Sequence, residues 1–259
     1  MSFPTFKNTP QFQQGGNQNY YNSNGQLTNP GIQQGNPFQQ VASNTMSFEG
    51  TIRRGAIAFG VLLIAALAGW AVPALAIPGA LGALVLGLVV GFKRISNPGA
   101  TIAYSALQGL AVGGISVILE SRFPGVVSQA VIATLCVFAV ILFFFSKGVF
   151  RTTPLLNKIF VIAGVSYLLF SLVNLGLVLT GVSQSMFGVY GDLGIFGIVI
   201  GILGTLLASY SLVRDFEFVN NGVNNQIESR WEWLAVFSLI GTLVWLYIEI
   251  LRLISLFRQ

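Results

Sequence analysis

Glu249 and Arg252 lie three residues apart in Leu243-Val-Trp-Leu-Tyr-Ile-Glu-Ile-Leu-Arg-Leu-Ile254, a stretch that is otherwise apolar. Asp215 and Glu217 sit between phenylalanines in Ser211-Leu-Val-Arg-Asp-Phe-Glu-Phe-Val219, and Glu120 closes a third apolar run. A carboxylate in such surroundings must find a cation, a hydrogen-bond donor or a proton. The chemistry open to it is coordination of hard cations, calcium among them, or proton uptake. Glu249 and Arg252, at i and i+3, share a helix face, so mutual neutralisation is the plain reading of that pair. Burial of an ion pair gains little stability, which keeps a functional role open beside it. For Asp215 and Glu217 the plain reading is an interfacial acid paired with Arg214 or Arg230. Gln108, Thr134 and Asn174, polar but uncharged, are expected to hydrogen-bond between helices.

Other chemistry is excluded by residue type. The chain has no histidine, which removes imidazole-based triads, HExxH zinc sites and imidazole pH switches. Its one cysteine, Cys136, lies in an apolar run and reads as packing. No nucleophile stands beside a base, no Cys/His ligand cluster exists and no phosphate loop is present. The expectation is a protein that is not an enzyme and has no cofactor, with calcium entering only as a transported ion; no metal-ligand set is specified.

The elements that position these groups follow from composition. Of 259 residues 54% are hydrophobic and only 8% charged, where a soluble domain carries about 25% charged residues. Mean hydropathy is +0.75. So little polar surface makes the lipid bilayer the main solvent, and it excludes a soluble enzyme or a nucleic-acid partner. Apolar runs near the length needed to cross a bilayer fall at 54–72, 76–92, 100–119, 125–146, 157–181, 191–213 and 233–255. Turn signals separate the first four: Pro73 and Pro78, then Asn97-Pro98-Gly99, then Phe123-Pro124-Gly125. The second run is the shortest and is rich in glycine, so six spans with a re-entrant hairpin is the alternative to seven. The fold class read from this is an all-α integral membrane protein, a seven-transmembrane-helix bundle with a disordered N-terminal tail. Gly87/Gly91, Gly109/Gly113 and Gly197/Gly201 have the GxxxG spacing of close helix packing. Trp231 and Trp233 mark the membrane entry of the last span.

Residues 1–50 are a different material: seventeen are Asn or Gln and only Lys7 and Glu49 are charged. Such a segment buries too little apolar area to offset its ordering entropy, so 1–50 reads as a disordered cytoplasmic tail and 51–259 as the membrane domain. With seven spans, ten cations fall on the tail side: Lys7, Arg53, Arg54, Lys93, Arg94, Lys147, Arg151, Lys158, Arg214 and Arg230. The opposite side holds Arg122 and Arg258. The positive side stays cytoplasmic, giving a multi-pass inner (plasma) membrane protein with its N-terminus inside and its C-terminus outside.

The final two spans resemble the Bax inhibitor-1 family of seven-helix membrane proteins, in particular its bacterial YccA-like branch. Asp215-Phe216 matches the acid that family members carry at the end of the sixth span. Trp245-Leu-Tyr and Ile250-Leu-Arg-Leu-Ile254 look like elements of their last span. The likeness covers about residues 46–259. It implies a pH-sensitive calcium leak, gated by two acids on the last two helices and a basic residue near the second loop, here Arg94. The last-span acid has two possible registers. Leu-Tyr-Ile-Glu places Glu249 there, 34 residues after Asp215; this is about ten more than in the family, and at ~1.5 Å per residue it separates the two in depth. Ile-Leu-Arg-Leu-Ile places Thr242 there, 27 residues on, and this register is preferred. It leaves Asp215 without a paired carboxylate, so the pH response should differ from that of paired-acid relatives.

The ion- or proton-handling candidates are therefore Asp215, Glu249, Glu120 and Thr242, with Arg94 and Arg252 as basic gating or pairing partners. A non-transporting regulator that binds a membrane protease or other membrane-protein partners is the alternative. A proton-coupled transporter would need a polar path through Gln108, Asn174 and Glu249.

Overall fold

The computed structural model describes residues 45–149, 152–182, 185 and 187–258. The tail reading for residues 1–44, including Lys7, and the loop cation Arg151 lie outside the described residues. Among the described residues seven long helices are present: α1 (Phe48–Ala71), α2 (Ala76–Lys93), α3 (Pro98–Arg122), α4 (Val126–Ser146), α5 (Pro154–Leu179), α6 (Ile195–Asn224) and α7 (Glu232–Leu256). All seven are long and apolar enough to cross a membrane. A 3-10 turn at Pro73–Leu75 leads into α2, and Pro78 sits inside the first turn of α2, where its missing N–H is no loss. The second run is thus a full helix and not a re-entrant hairpin.

Local chemistry sets the starts. Ser47 caps α1 by accepting the Gly50 N–H at 2.9 Å, and Asn97 caps α3 by accepting the Gly99 N–H at 2.7 Å, with Pro98 at the first helical position. Thr153 and Pro154 open α5 in the same way. These pairings satisfy N–H groups that have no partner within their own helix. Helix α1 begins at Phe48, inside the stretch assigned to the tail, and Thr45 bridges to Glu228 ahead of it. Residues 45–50 therefore belong to the membrane fold.

The sixth helix departs most from its predicted bounds of 191–213. A separate one-turn helix, Val189–Asp192, and Gly194 at φ 54° precede it, and α6 continues to Asn224, 30 residues in all. The charges at 214, 215 and 217 do not end it, because Asp215 and Glu217 find hydroxyl donors on neighbouring segments. The chain leaves the helix at Asn225 and turns at Gln226, which has φ 50°.

Helix α7 is the axis of the bundle. Half of its membrane window is buried, against 6% for α5, and it contributes to the apolar cluster under α1–α3 and to that under α4 and α6. Helix α3 is the other well-covered helix. A Cβ at Gly109 or Gly113 would collide with the Leu62 and Ala66 carbonyls of α1, so these glycines let two backbones touch. The same spacing elsewhere has other consequences: Gly197 packs against the Tyr190 carbonyl, Gly201 against Leu253, and Gly91 against nothing.

Cross-links sort the loops to two ends. At one end Met46 N–H donates to Ile227 O at 2.6 Å, the Ser96 hydroxyl donates to Arg230 O and Thr101 donates to Trp233 O at 3.1 Å. At the other, Arg258 donates to Pro124 O at 2.6 Å and Phe123 stacks on Phe187. This is the alternation that seven crossings require.

Candidate functional site

Helices α6 and α7 run antiparallel and place a file of buried polar groups along their seam. Nine residues before the end of α6, about 13 Å along the helix axis, Asp215 is 7% exposed. Ser238 of α7 donates to its Oδ1 at 2.5 Å. The Thr242 hydroxyl lies against the same carboxyl and is 3.4 Å from Ser211 of α6. Asp215 Oδ2 is buried and makes no hydrogen bond. Thr242, not Glu249, is thus the α7 residue beside Asp215. The expected pairing with Arg214 or Arg230 does not form: Arg214 lies over the Phe160 ring at 4.8 Å, and Arg230 pairs with Glu228 at 2.8 Å.

Glu249 lies two turns further along α7, 3% exposed. It faces Gly204 of α6, where a Cβ would strike both its carboxylate and the Tyr167 hydroxyl. Gly204 precedes Asp215 by eleven residues and Glu249 follows Thr242 by seven, so the two acids differ in depth by about 10–16 Å. Glu249 Oε1 accepts from the Tyr167 hydroxyl of α5 at 2.7 Å and from Trp245 Nε1 at 2.9 Å. Arg252 binds Glu249 Oε2 and the Tyr167 hydroxyl through the same nitrogen, Nη2. Its guanidinium carbon is 4.0 Å from the Tyr190 ring centre. The i,i+3 pair expected from the sequence is therefore present, extended by two tyrosines and a tryptophan.

The remaining candidates stand apart. Glu120 accepts the N–H groups of Gly125 at 2.6 Å and Val127 at 3.0 Å, which caps the start of α4 at the far end of the bundle. Arg94 ends α2 in a left-handed conformation, exposed, with no ion pair to an acid among the described residues. Gln108 donates to Tyr104 and Thr134 to Ala130 O, both four residues back on their own helices. Asn174 binds the Phe187 carbonyl and the Val189 N–H, holding the loop before α6. The interhelical bonds expected of these three are not made by Gln108 and Thr134, while Asn174 makes one, to the one-turn helix Val189–Asp192.

One buried acid escaped the sequence reading. Glu232, 1% exposed, opens α7. It accepts the Ser47 N–H at 2.8 Å and lies 3.0 Å from Arg54 Nη1, while Gly50 leaves no room for a Cβ beside it. The carboxylate thus meets the positive ends of both α1 and α7. Its sequence signal is an acid in the first turn of a helix, between Trp231 and Trp233.

Among the described residues no three His, Cys, Asp or Glu side chains converge as metal ligands. A hard cation at the seam would meet one carboxylate and the hydroxyls of Ser238 and Thr242. No curated relative matches the chain. The family model described as Bax inhibitor 1 like matches residues 4–259, a span that takes in most of the tail left out of the earlier likeness. Its seven apolar helices and this match over nearly the whole length place the protein in the Bax inhibitor 1-like family of membrane proteins.

Proposed function

We propose that the protein is a leak pathway for hard cations, calcium foremost, whose flux responds to pH. The observation that carries this reading is Asp215, a carboxylate inside a membrane helix that has the Ser238 and Thr242 hydroxyls beside it and one buried oxygen without a hydrogen bond. Such an oxygen accepts a cation or a proton, and competition between the two makes flux depend on pH. The protein lies in the inner (plasma) membrane with its N-terminus cytoplasmic and its C-terminus outside. The placing of Arg53, Arg54, Lys93, Arg94, Lys147, Lys158, Arg214 and Arg230 toward the end where α1 and α7 begin supports this orientation. Neither bond-making chemistry nor a resident cofactor is part of the reading.

Calcium entry into liposomes containing the purified protein, at about pH 6 and about pH 8, tests it. Flux above empty liposomes that varies with pH and falls in Asp215→Asn is the expected result. Flux unchanged in Asp215→Asn, or absent from protein with intact helical content, would reject it. The second reading, a non-transporting regulator of membrane-protein partners, is favoured by α5. Tyr167 is the one residue buried among the described side chains of that helix, and the apolar remainder suits contact with another membrane helix.

A further inference from the structure

Arg252 uses its guanidinium in an unusual way. A structural arginine normally grips a carboxylate through its planar fork, with two parallel bonds. Arg252 reaches both Glu249 and Tyr167 through Nη2 alone, and its Nε is buried without a partner. The guanidinium acts here as a point charge. Its surroundings come from three separate segments: the Tyr167 hydroxyl of α5, the Tyr190 ring of the one-turn helix, and the Glu249 carboxylate of α7. The carboxylate and the hydroxyl are oxygen ligands of the kind a hard cation takes, and the ring face is what a guanidinium finds favourable. Gly204 holds the space open from α6. Beside the cluster runs a cleft whose lining includes Ser171, Asn174, Phe187, Tyr190 and Arg252 itself.

We infer that Arg252 is a tethered counter-cation occupying a site built from the Glu249 carboxylate, the Tyr167 hydroxyl and the Tyr190 ring, and that a hard divalent or trivalent cation takes this site when the guanidinium withdraws. The inference rests on the cation-handling reading of the α6–α7 seam and gives that pathway a second, self-plugged station about 10–16 Å from Asp215.

Terbium(III) tests it without any flux. Trp245 donates to the Glu249 carboxylate at 2.9 Å, so a terbium ion bound there is excited through the tryptophan and emits. The purified full chain in detergent is titrated with terbium chloride, folding being checked by helical circular dichroism. Wild type is expected to show no Trp245-dependent emission, as the site is filled. Arg252→Gln is expected to bind terbium about tenfold or more tightly, and Arg252→Gln/Glu249→Gln and Arg252→Gln/Trp245→Phe to be dark. Tyr190→Leu keeps the ion pair and so avoids an orphaned charge; its looser guanidinium should give emission at higher terbium concentrations. A dark Arg252→Gln with native helicity overturns the inference, as does emission that survives Glu249→Gln. Should Arg252→Gln fail to fold, a dark Tyr190→Leu overturns it. A protein that shows no calcium flux but follows this terbium pattern keeps the site and loses only the leak.

Discussion

Asp215 and Glu249 are carboxylates on the same pair of helices, yet α6 and α7 surround them in opposite ways. Asp215 is hydrogen-bonded by a hydroxyl, forms no ion pair among the described residues, and keeps one oxygen unbonded. Glu249 meets two aromatic donors and a cation, with both oxygens engaged. The first arrangement leaves a group able to exchange its partner. The second is closed, and opening it means moving an arginine. An acid that is buried with a fixed counter-charge belongs to the architecture until that charge moves, whereas one buried among neutral hydroxyls is already exposed to whatever ion or proton reaches it.

The largest difference should appear on neutralising each acid. Glu249→Gln strands Arg252 inside the bundle and should lower stability by about 3–5 kcal/mol. Asp215→Asn removes no ion-pair partner and leaves Ser238 an acceptor, so its effect should stay within about 1 kcal/mol. Reversible unfolding of both variants in one detergent measures the two; equal losses would erase the distinction between the sites. Next in size is Gly204→Ala. Its Cβ would meet Tyr167 and Glu249 but lies eleven residues from Asp215, and overpacking of this kind costs about 1–3 kcal/mol. Calcium flux through Gly204→Ala should still respond to Asp215→Asn, which places the damage in the Glu249 cluster alone. Ser238→Ala is smaller again: it removes one donor to Asp215 and should cost about 1 kcal/mol, while altering the pH profile of flux and leaving Trp245 fluorescence unmoved.

The helices themselves were legible because hydropathy over some twenty residues answers to a single cause, the thickness of the bilayer. The end of α6 was not. A rule that stops a span at its first charges halts near Arg214, but Asp215 and Glu217 are matched by Ser238 and Thr152 from elsewhere in the chain, and no local pattern announces such partners. The same limit hid the difference between the two acids. Glu249 and Arg252 are neighbours on one helix, so their pairing follows from spacing; Tyr167 and Tyr190 reach them from α5 and the one-turn helix beyond it. Glu120 misled for the opposite reason. Its partners, Gly125 and Val127, are five and seven residues away, and a carboxylate just before a helix start is a capping signal that outranks a functional one.

The smallest structural change gives the finest test of the comparison. Thr242 stands beside the Asp215 carboxyl, so Thr242→Asp places a second acid against the first with little change in volume. Two carboxylates in contact do not titrate independently: they lose their protons in two macroscopic steps that belong to the pair. The single acid of the wild type should therefore give a flux profile with one transition of one-proton steepness, and Thr242→Asp should add a second transition that vanishes in Thr242→Asp/Asp215→Asn. The same aspartate beside Glu249 could not behave in this way, since Arg252 already compensates that carboxylate. A Thr242→Asp profile identical to that of the wild type would mean that Asp215 does not set the pH response, and the open station would then have to be sought at Glu249, after its arginine has moved aside.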